Sequence, residues 1–185
     1  MRLLLIIGLW FPIWASAQSV FPLSLSDLKD HPATYRPAQD AKGVAIVFLL
    51  PDCPSCQSYS KTLNDLYREF QPQGLEVIGV FPGKYASFSE VEVFRSDFRI
   101  AFPLFVDKDQ GQVRKVGAAV APEVFLFDRQ GHSVYSGRID DWMVAPGKKR
   151  LQIRNHELRD AMKALSEGRK VRVPRTIPIG CIIEQ

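Results

Sequence analysis

The sequence contains few of the residues that most often bind metals or form crosslinks: three cysteines and three histidines in 185 residues. Cys53 and Cys56 form a single C-x-x-C motif, and a four-ligand zinc site would need partners that the scattered histidines do not offer. Covalent haem attachment requires histidine directly after the second cysteine, where this chain has Gln57. We therefore expect no cofactor and no resident metal. We expect surface positions for the histidines, which are His31, His132 and His156.

The chain also lacks a long hydrophobic span. Its N-terminal apolar run, Leu3–Trp14, is shorter than the roughly 20 residues that cross a bilayer. It follows the basic Arg2 and precedes Ala15-Ser16-Ala17, the layout of a secretory signal peptide cut after Ala17. An uncleaved anchor is the alternative. With cleavage we expect a periplasmic or extracellular protein without stable membrane insertion, in a compartment where disulfides persist.

A strong charge is missing as well. The net charge is +4, and the 46% hydrophobic and 24% charged residues are ordinary for a soluble globular protein. Lys148–Arg175 is a basic stretch with ten Lys or Arg and three Asp or Glu. Such a stretch is typical of a solvated helix face, although it could steer an acidic partner. We expect no nucleic-acid partner.

Buried strands and amphipathic helices alternate along the first part of the chain. Gly43–Leu50 is a continuous apolar run, typical of a strand that is buried on both faces. The helical stripe that follows begins at Pro54, where the missing N–H costs nothing. Gly74–Gly83 predicts a second buried strand, and Ser87 with Glu90 predicts a capping box on a second helix.

The second part adds shorter elements. A strand ending at Asp107 and a short helix over Gly111–Val116 precede a strand–turn–strand unit that begins at Pro122. A last helix has Asn155 as its possible N-cap and ends at Gly168. This order predicts an α/β domain over residues 18–168, with a mixed central sheet and helices on both faces. Residues 169–185 form a tail outside the last helix.

The chemistry is predicted at Cys53 and Cys56, where a buried strand ends and a helix begins. A thiol at a helix N-terminus feels the dipole and the free N–H groups, which stabilise its thiolate. Cys53 can then attack a disulfide of a partner protein, and Cys56, one turn on, can resolve the mixed disulfide. Copper(I) bound by thiolates, with Cys181 as a third soft ligand, is an alternative. An inert structural disulfide is another.

These residues resemble the thioredoxin-like redoxins, especially the exported TlpA-like and AhpC/TSA-like branch. The resemblance covers about residues 21–165 and depends on C-P-S-C after an apolar strand, on "APEVFLFDRQG" and on "YSGRIDD". It implies a thioredoxin fold and a thiol–disulfide oxidoreductase without an organic cofactor. It also implies a cis peptide at Pro122 facing the cysteines, so that Pro122 and Ala121 shape a substrate-docking surface.

The chain departs from the family pattern at several positions. Asp52 and Val47 stand where thioredoxin itself has tryptophan and a buried aspartate, so a water or another acid such as Glu123 would have to assist Cys56. Asp52 should also raise the pKa of Cys53 beside it. Leu50 occupies the place where peroxiredoxins carry threonine, which makes peroxidase activity a secondary alternative.

Three further features carry expectations of their own. Asp140 and Asp141 resemble turn and solvent carboxylates, although the pair could bind a cation, and Trp142 either covers the redox site or packs beneath a long loop. Cys181 is the remaining thiol once Cys53 and Cys56 are assigned to each other. It lies in "TIPIGCII", a T-x-x-x-G-C-x-I tail that resembles those of some exported redoxin-like proteins. Either the tail folds back so that Cys181 exchanges with Cys53, as a third redox thiol, or Cys181 is buried and unreactive.

Overall fold

The computed structural model describes residues 19–83 and 86–184, and the predicted signal peptide lies outside them. Four α-helices, one short 3-10 helix (Gln71–Gln73) and eleven strands lie within the described residues. The helices are α1 (Pro54–Phe70), α2 (Phe88–Asp97), α3 (Gly111–Val116) and α4 (Glu157–Ser166). The strands are β1 (Leu23–Ser26), β2 (Pro32–Tyr35), β3 (Gly43–Phe48), β4 (Leu75–Pro82), β5 (Leu104–Asp107), β6 (Val120–Ala121), β7 (Glu123–Asp128), β8 (Ser133–Gly137), β9 (Met143–Ala145), β10 (Lys148–Lys149) and β11 (Cys181–Ile182).

Seven strands form one mixed sheet in the order β2-β1-β5-β4-β3-β7-β8. The strands β3, β4 and β5 run parallel, while β7 runs antiparallel to β3. Every residue of β3 is buried, because helices and neighbouring strands cover it on all sides. The carboxyl end of this central strand, where β3 leads into α1, is where ligands and reactive groups gather in open α/β sheets.

Helices cover both faces of the sheet, as predicted. The crossovers from β3 through α1 to β4 and from β4 through α2 to β5 run in the same direction, which places α1 and α2 on one face. The end of α4 lies on that face too, because a Cβ added to Gly43 would point at Leu165 of α4. Asp128, the strand partner of Gly43, has its side chain on the same face. Phe127 points to the opposite face and borders a cavity with Val116 at the end of α3. The α/β prediction with a mixed sheet is therefore confirmed.

Three details of the fold were not predicted from the sequence. Residues 19–43 contain a two-stranded hairpin, β1 with β2, because alternating leucines at 23 and 25 are buried. The stretch 141–154 contains the small hairpin β9–β10. The residue before α4 is His156, which makes no side-chain cap. None of the helices in the described part of the chain is long and apolar enough to cross a membrane.

Candidate active site

Cys53 lies at the junction of β3 and α1, as the N-cap of the helix. Its backbone is extended, with φ of −79° and ψ of 114°, and Pro54 begins the helix. No side chain caps the helix N-terminus and its first turn contains no acidic residue. The sulfur of Cys53 therefore lies where the helix dipole and the free N–H groups favour a thiolate once the thiol is reduced.

Cys56 is fully buried, three residues further along α1. The backbone N–H of Leu50 lies 3.4 Å from its sulfur. Burial raises the pKa of Cys56 to about 12, and the negative charge of Asp52 adds to this effect. Cys56 is thus a neutral thiol at physiological pH, as expected of a residue that attacks only after another bond has formed.

The structure joins Cys53 to Cys181 by a disulfide and leaves Cys56 as a free thiol. This agrees with the first alternative for Cys181, in which the tail folds back to Cys53, and it differs from a Cys53–Cys56 bond that leaves Cys181 as a free thiol. The two bonded residues are 128 positions apart in the chain, and their Cα atoms are 6.1 Å apart. They meet because the tail after α4 folds back across the sheet to the start of α1.

The end of the tail binds as a short strand beside β6. Cys181 pairs with Ala121 and Ile182 with Val120, antiparallel, and the N–H of Ile183 donates to the carbonyl of Ala119 at 2.9 Å. Side chains alternate along this strand, as the period of two requires: Ile182 is 76% exposed, whereas Ile183 is 3% exposed. The tail is therefore held in register by its backbone as well as by sulfur.

Gly180 permits this close approach. A Cβ at residue 180 would overlap the carbonyl oxygen of Ala121 and lie 2.6 Å from its carbonyl carbon. Any side chain there would push the tail away from β6. The glycine directly before Cys181 is thus a geometric requirement of the docked strand.

Thr176 anchors the beginning of the tail on β8. Its hydroxyl accepts a hydrogen bond from the N–H of Arg138 at 3.0 Å and lies 2.8 Å from the hydroxyl of Tyr135. Its N–H donates to the carbonyl of Ser136 at 2.9 Å. Gly137 has a φ of +135° and no space for a Cβ against Thr176. In T-x-x-x-G-C-x-I, each specified residue therefore has a separate contact with the domain.

Pro122 follows a cis peptide bond and lies beside the disulfide. The carbonyl oxygen of Ala121 is 3.3 Å from the sulfur of Cys53. The residues predicted to shape substrate docking thus border Cys53, and the tail occupies the backbone edge that they present.

Glu123 has a different position from the one expected of an acid that assists Cys56. Its carboxylate accepts a hydrogen bond from the N–H of Ala119 at 2.9 Å and lies 3.4 Å from the N–H of Val120. Burial raises the pKa of Glu123, and these backbone donors oppose that effect. It holds the loop that carries β6, whereas the acid whose charge acts on Cys56 is Asp52.

Asp140 and Asp141 are 2% exposed each, so the prediction of solvent carboxylates is wrong. Asp140 accepts hydrogen bonds from the hydroxyl of Tyr59 at 2.6 Å and from the N–H of Trp142 at 2.9 Å. Asp141 accepts from the N–H groups at 154 and 155, at 2.8 and 3.2 Å. Asp140 thus combines a local partner, Trp142, with the distant Tyr59, and Asp141 has its partners at the far end of the loop.

Trp142 packs edge-on against Tyr59, and Lys149 lies 4.3 Å from its ring. The next residue, Met143, receives a hydrogen bond from the hydroxyl of Ser55 at 3.0 Å. The long loop therefore covers the first turns of α1, next to Cys56. Both positions expected of Trp142, over the redox site or beneath the long loop, lie in this region, whereas no local pattern marks the contact between Ser55 and Met143.

All three histidines are exposed, as predicted. Among residues 19–83 and 86–184, no group of three or more His, Cys, Asp or Glu side chains is arranged to hold a metal ion. With Cys53 and Cys181 bonded to each other, neither sulfur is available as a thiolate ligand in this state.

The mixed sheet, the C-x-x-C motif at the start of α1 and the cis proline beside it define a thioredoxin-fold protein. The thioredoxin domain of a thiol-disulfide oxidoreductase from Bacteroides vulgatus superposes with a TM-score of 0.55 at 18% identity, over 66% of this chain and 87% of that one. The family model of the AhpC/TSA family matches residues 20–136. The chain belongs to the AhpC/TSA family.

Two further comparisons cover different shares of the chain. The thiol-disulfide oxidoreductase ResA of Geobacillus thermodenitrificans is 33% identical over 110 residues, which are 58% of this chain and 60% of that protein. A hypothetical protein of Sinorhizobium meliloti is 25% identical, with a TM-score of 0.76 over 89% of this chain and 91% of that one. The chain thus spans about three fifths of the ResA relative and nearly all of the second protein.

Proposed function

We propose that this protein is a thiol–disulfide oxidoreductase that exchanges disulfides with a partner protein. The observation that carries the proposal is the disulfide between Cys53 and an extended segment paired with Ala121, beside Pro122. This is the arrangement expected when a thiol at this site has reacted with a substrate chain. The name of the ResA relative supports the same chemistry.

In the proposed reaction, the Cys53 thiolate attacks a disulfide sulfur of the partner and releases one partner thiolate, which takes up a proton. Cys56 then loses its proton and attacks Cys53, which forms the Cys53–Cys56 disulfide and releases the second partner thiol. The partner gains two electrons and two protons, and the protein loses them. The reverse sequence oxidises a partner dithiol, so no organic cofactor is needed.

We also propose that the protein works outside the cytosol, in the periplasm or beyond it, after removal of residues 1–17. The basic start, the apolar run and the small residues of this segment support the proposal. Mass spectrometry of the N-terminus of exported protein tests it. A chain that begins at Gln18 agrees with it, and an intact Met1 on membrane-bound protein contradicts it.

Insulin reduction with dithiothreitol tests the activity, with Cys181→Ser as the background because no tail disulfide then blocks the sulfur of Cys53. Adding Cys53→Ser should abolish turnover. Reduced Cys56→Ser protein, mixed with insulin after dithiothreitol has been removed, should stop at a mixed disulfide between Cys53 and insulin. Ser58→Ala, in the same helix and outside the C-x-x-C motif, is the matched control and should turn over normally. Turnover that survives Cys53→Ser contradicts the proposal, as does a Cys53–Cys56 midpoint potential far below about −300 mV, where structural disulfides lie.

A further inference from the structure

We infer that the tail is a built-in pseudo-substrate: residues 176–184 occupy the groove along β6 in which a partner chain reacts with Cys53. The inference rests on the proposed function and extends it to substrate selection. It predicts that the partner presents an extended protein segment with a reactive cysteine. In this segment a glycine comes directly before the cysteine, and an apolar residue comes two positions after it.

The backbone contacts are of the kind that one chain makes with another. The tail adds a short antiparallel strand to β6, as in recognition by β-augmentation. A further hydrogen bond links the side-chain amide of Gln110 to the carbonyl of Glu184 at 3.2 Å. Because most of these contacts use backbone atoms, they would be available to any segment that has the same shape.

The side-chain positions give the groove its selectivity. At residue 180 the backbone of Ala121 leaves no space for a Cβ, so the residue before the reactive cysteine must be glycine. Ile183 enters the hydrophobic core and is 3% exposed, whereas Ile182 points outwards. The groove therefore selects the residue before the cysteine and the residue two positions after it. It does not select the residue directly after the cysteine.

The tail is attached in a way that permits release of its end. Thr176 is bound to β8 independently of the disulfide, through both its hydroxyl and its backbone. Between this anchor and Gly180, Ile177 is 81% exposed. Opening the disulfide would thus free residues 177–184 while Thr176 keeps the tail tethered near the groove, as a competitor at high effective concentration.

Release needs no external oxidant or reductant. The Cys56 thiol loses its proton, and its sulfur attacks the sulfur of Cys53. The Cys53–Cys181 bond breaks while the Cys53–Cys56 bond forms, and the departing Cys181 thiolate takes up a proton. The number of disulfides is unchanged. A partner dithiol can then enter the vacated groove and reduce the Cys53–Cys56 bond.

Peptides test the selectivity. A peptide of the sequence 176–184 is coupled through its cysteine to thionitrobenzoate and mixed with reduced protein that carries Cys181→Ser and Ile183→Ala, so that its own tail has lost both its sulfur and its buried side chain. Release of the coloured thiolate reports attack by Cys53. A matched peptide carries alanine in place of the glycine, and the free aromatic disulfide corrects for intrinsic thiol reactivity. We expect the glycine peptide to react at least about tenfold faster than the alanine peptide, in line with the cost of overpacking.

Equal rates for the two peptides would overturn the pseudo-substrate inference, provided that the variant reduces insulin. If the variant reacts neither with the aromatic disulfide nor with insulin, the proposed function itself fails. A Cys53–Cys181 bond found between two chains, as a covalent dimer on a non-reducing gel, would overturn the assignment of the tail to its own groove.

Two adjacent isoleucines provide the test within the chain. In oxidised protein, disulfide mapping by mass spectrometry gives the ratio of Cys53–Cys181 to Cys53–Cys56. Ile183→Ala should lower this ratio about tenfold or more, because a buried aliphatic side chain is lost from the docked tail. The neighbouring Ile182→Ala should leave it unchanged. Equal responses of the two variants would contradict a tail that is docked by side-chain alternation.

Discussion

Two segments border the reactive cysteines, and they are held in opposite ways. The loop of residues 140–155 covers the first turns of α1 and is fastened by buried carboxylates at Asp140 and Asp141. The tail of residues 176–184 covers Cys53 and is fastened by a backbone strand and one disulfide. A carboxylate network is broken only when the loop unfolds, whereas a disulfide to a reactive thiol can be opened by chemistry. The loop is therefore a fixed cover over α1, and the tail is a cover over Cys53 that disulfide exchange can remove.

The largest expected difference between the two segments is in the free energy of unfolding, because the disulfide of the tail constrains the unfolded chain. The Cys53–Cys181 bond closes a loop of 128 residues, and a loop of about this length stabilises by roughly 4–5 kcal/mol through lost chain entropy. Oxidised Cys181→Ser protein can close only the short Cys53–Cys56 loop, which stabilises by about 2 kcal/mol on the same scale, so it should be less stable by about 3 kcal/mol. Urea unfolding of both oxidised proteins measures the difference.

The control is the same pair of proteins after full reduction, which should unfold at nearly the same urea concentration. An oxidised Cys181→Ser protein as stable as the parent would show that the tail disulfide does not form in solution.

Opening of the tail should depend steeply on pH. Because burial raises the pKa of Cys56 to about 12, its thiolate fraction increases about tenfold per pH unit below that value. Release of Cys181 by attack of Cys56 should therefore accelerate roughly a thousandfold from pH 6 to pH 9. The measurement traps released Cys181 with saturating N-ethylmaleimide and counts the labelled tail peptide by mass spectrometry.

Cys56→Ser is the control, since Cys181 should then remain unlabelled at every pH. A flat pH profile, or labelling in Cys56→Ser, would mean that Cys56 does not open the tail. Acidic pH should keep the protein in the closed form, because Cys56 stays protonated.

The fixed loop should respond to its own substitution and leave the tail unaffected. Asp141→Ala removes the acceptor for the N–H groups of Arg154 and Asn155 and leaves both donors without a partner in the loop. The expected loss is about 2–3 kcal/mol in the free energy of unfolding, measured by urea denaturation. Asp52→Ala is the matched control with an exposed carboxylate and should change stability little.

In native Asp141→Ala protein the ratio of Cys53–Cys181 to Cys53–Cys56 should stay that of the parent. A changed ratio would show that the loop and the tail are coupled. The distinction between a fixed loop and a removable tail would then be wrong.

The loop and the tail also differ in how much of their structure the sequence predicts. The apolar run of β3 and the helical stripe of α1 are local patterns, so the position of Cys53 and Cys56 followed from neighbouring residues alone. The spacing of the tail motif is equally local, since its glycine and cysteine are adjacent. Which two of three cysteines pair is a long-range property, and counting cysteines could not choose between the pairings.

The burial of Asp140 and Asp141 is the opposite case. Two adjacent carboxylates after a strand look the same in a sequence whether they face water or the interior. Each has at least one partner farther along the chain: Tyr59 is 81 residues before Asp140, and Arg154 is 13 residues after Asp141. Only the fold brings them together, so no periodicity or spacing rule could have identified this network.

The smallest effect concerns the anchor of the tail. Thr176→Val keeps the shape of the side chain but removes the hydroxyl that accepts from the N–H of Arg138 and contacts Tyr135. The loss should be about 1 kcal/mol in the free energy of unfolding, the usual net value of a hydrogen bond. It should also lower the ratio of Cys53–Cys181 to Cys53–Cys56, because a looser tether lowers the effective concentration of Cys181 at Cys53. Because the Thr176 hydrogen bond lowers the pKa of Tyr135 while burial raises it to about 12, the variant should also show a higher pKa for Tyr135 in an absorbance titration. Ile177→Val, at the exposed neighbouring position, should change neither quantity, and a parent-like Thr176→Val protein would show that the tail is held by its disulfide end alone.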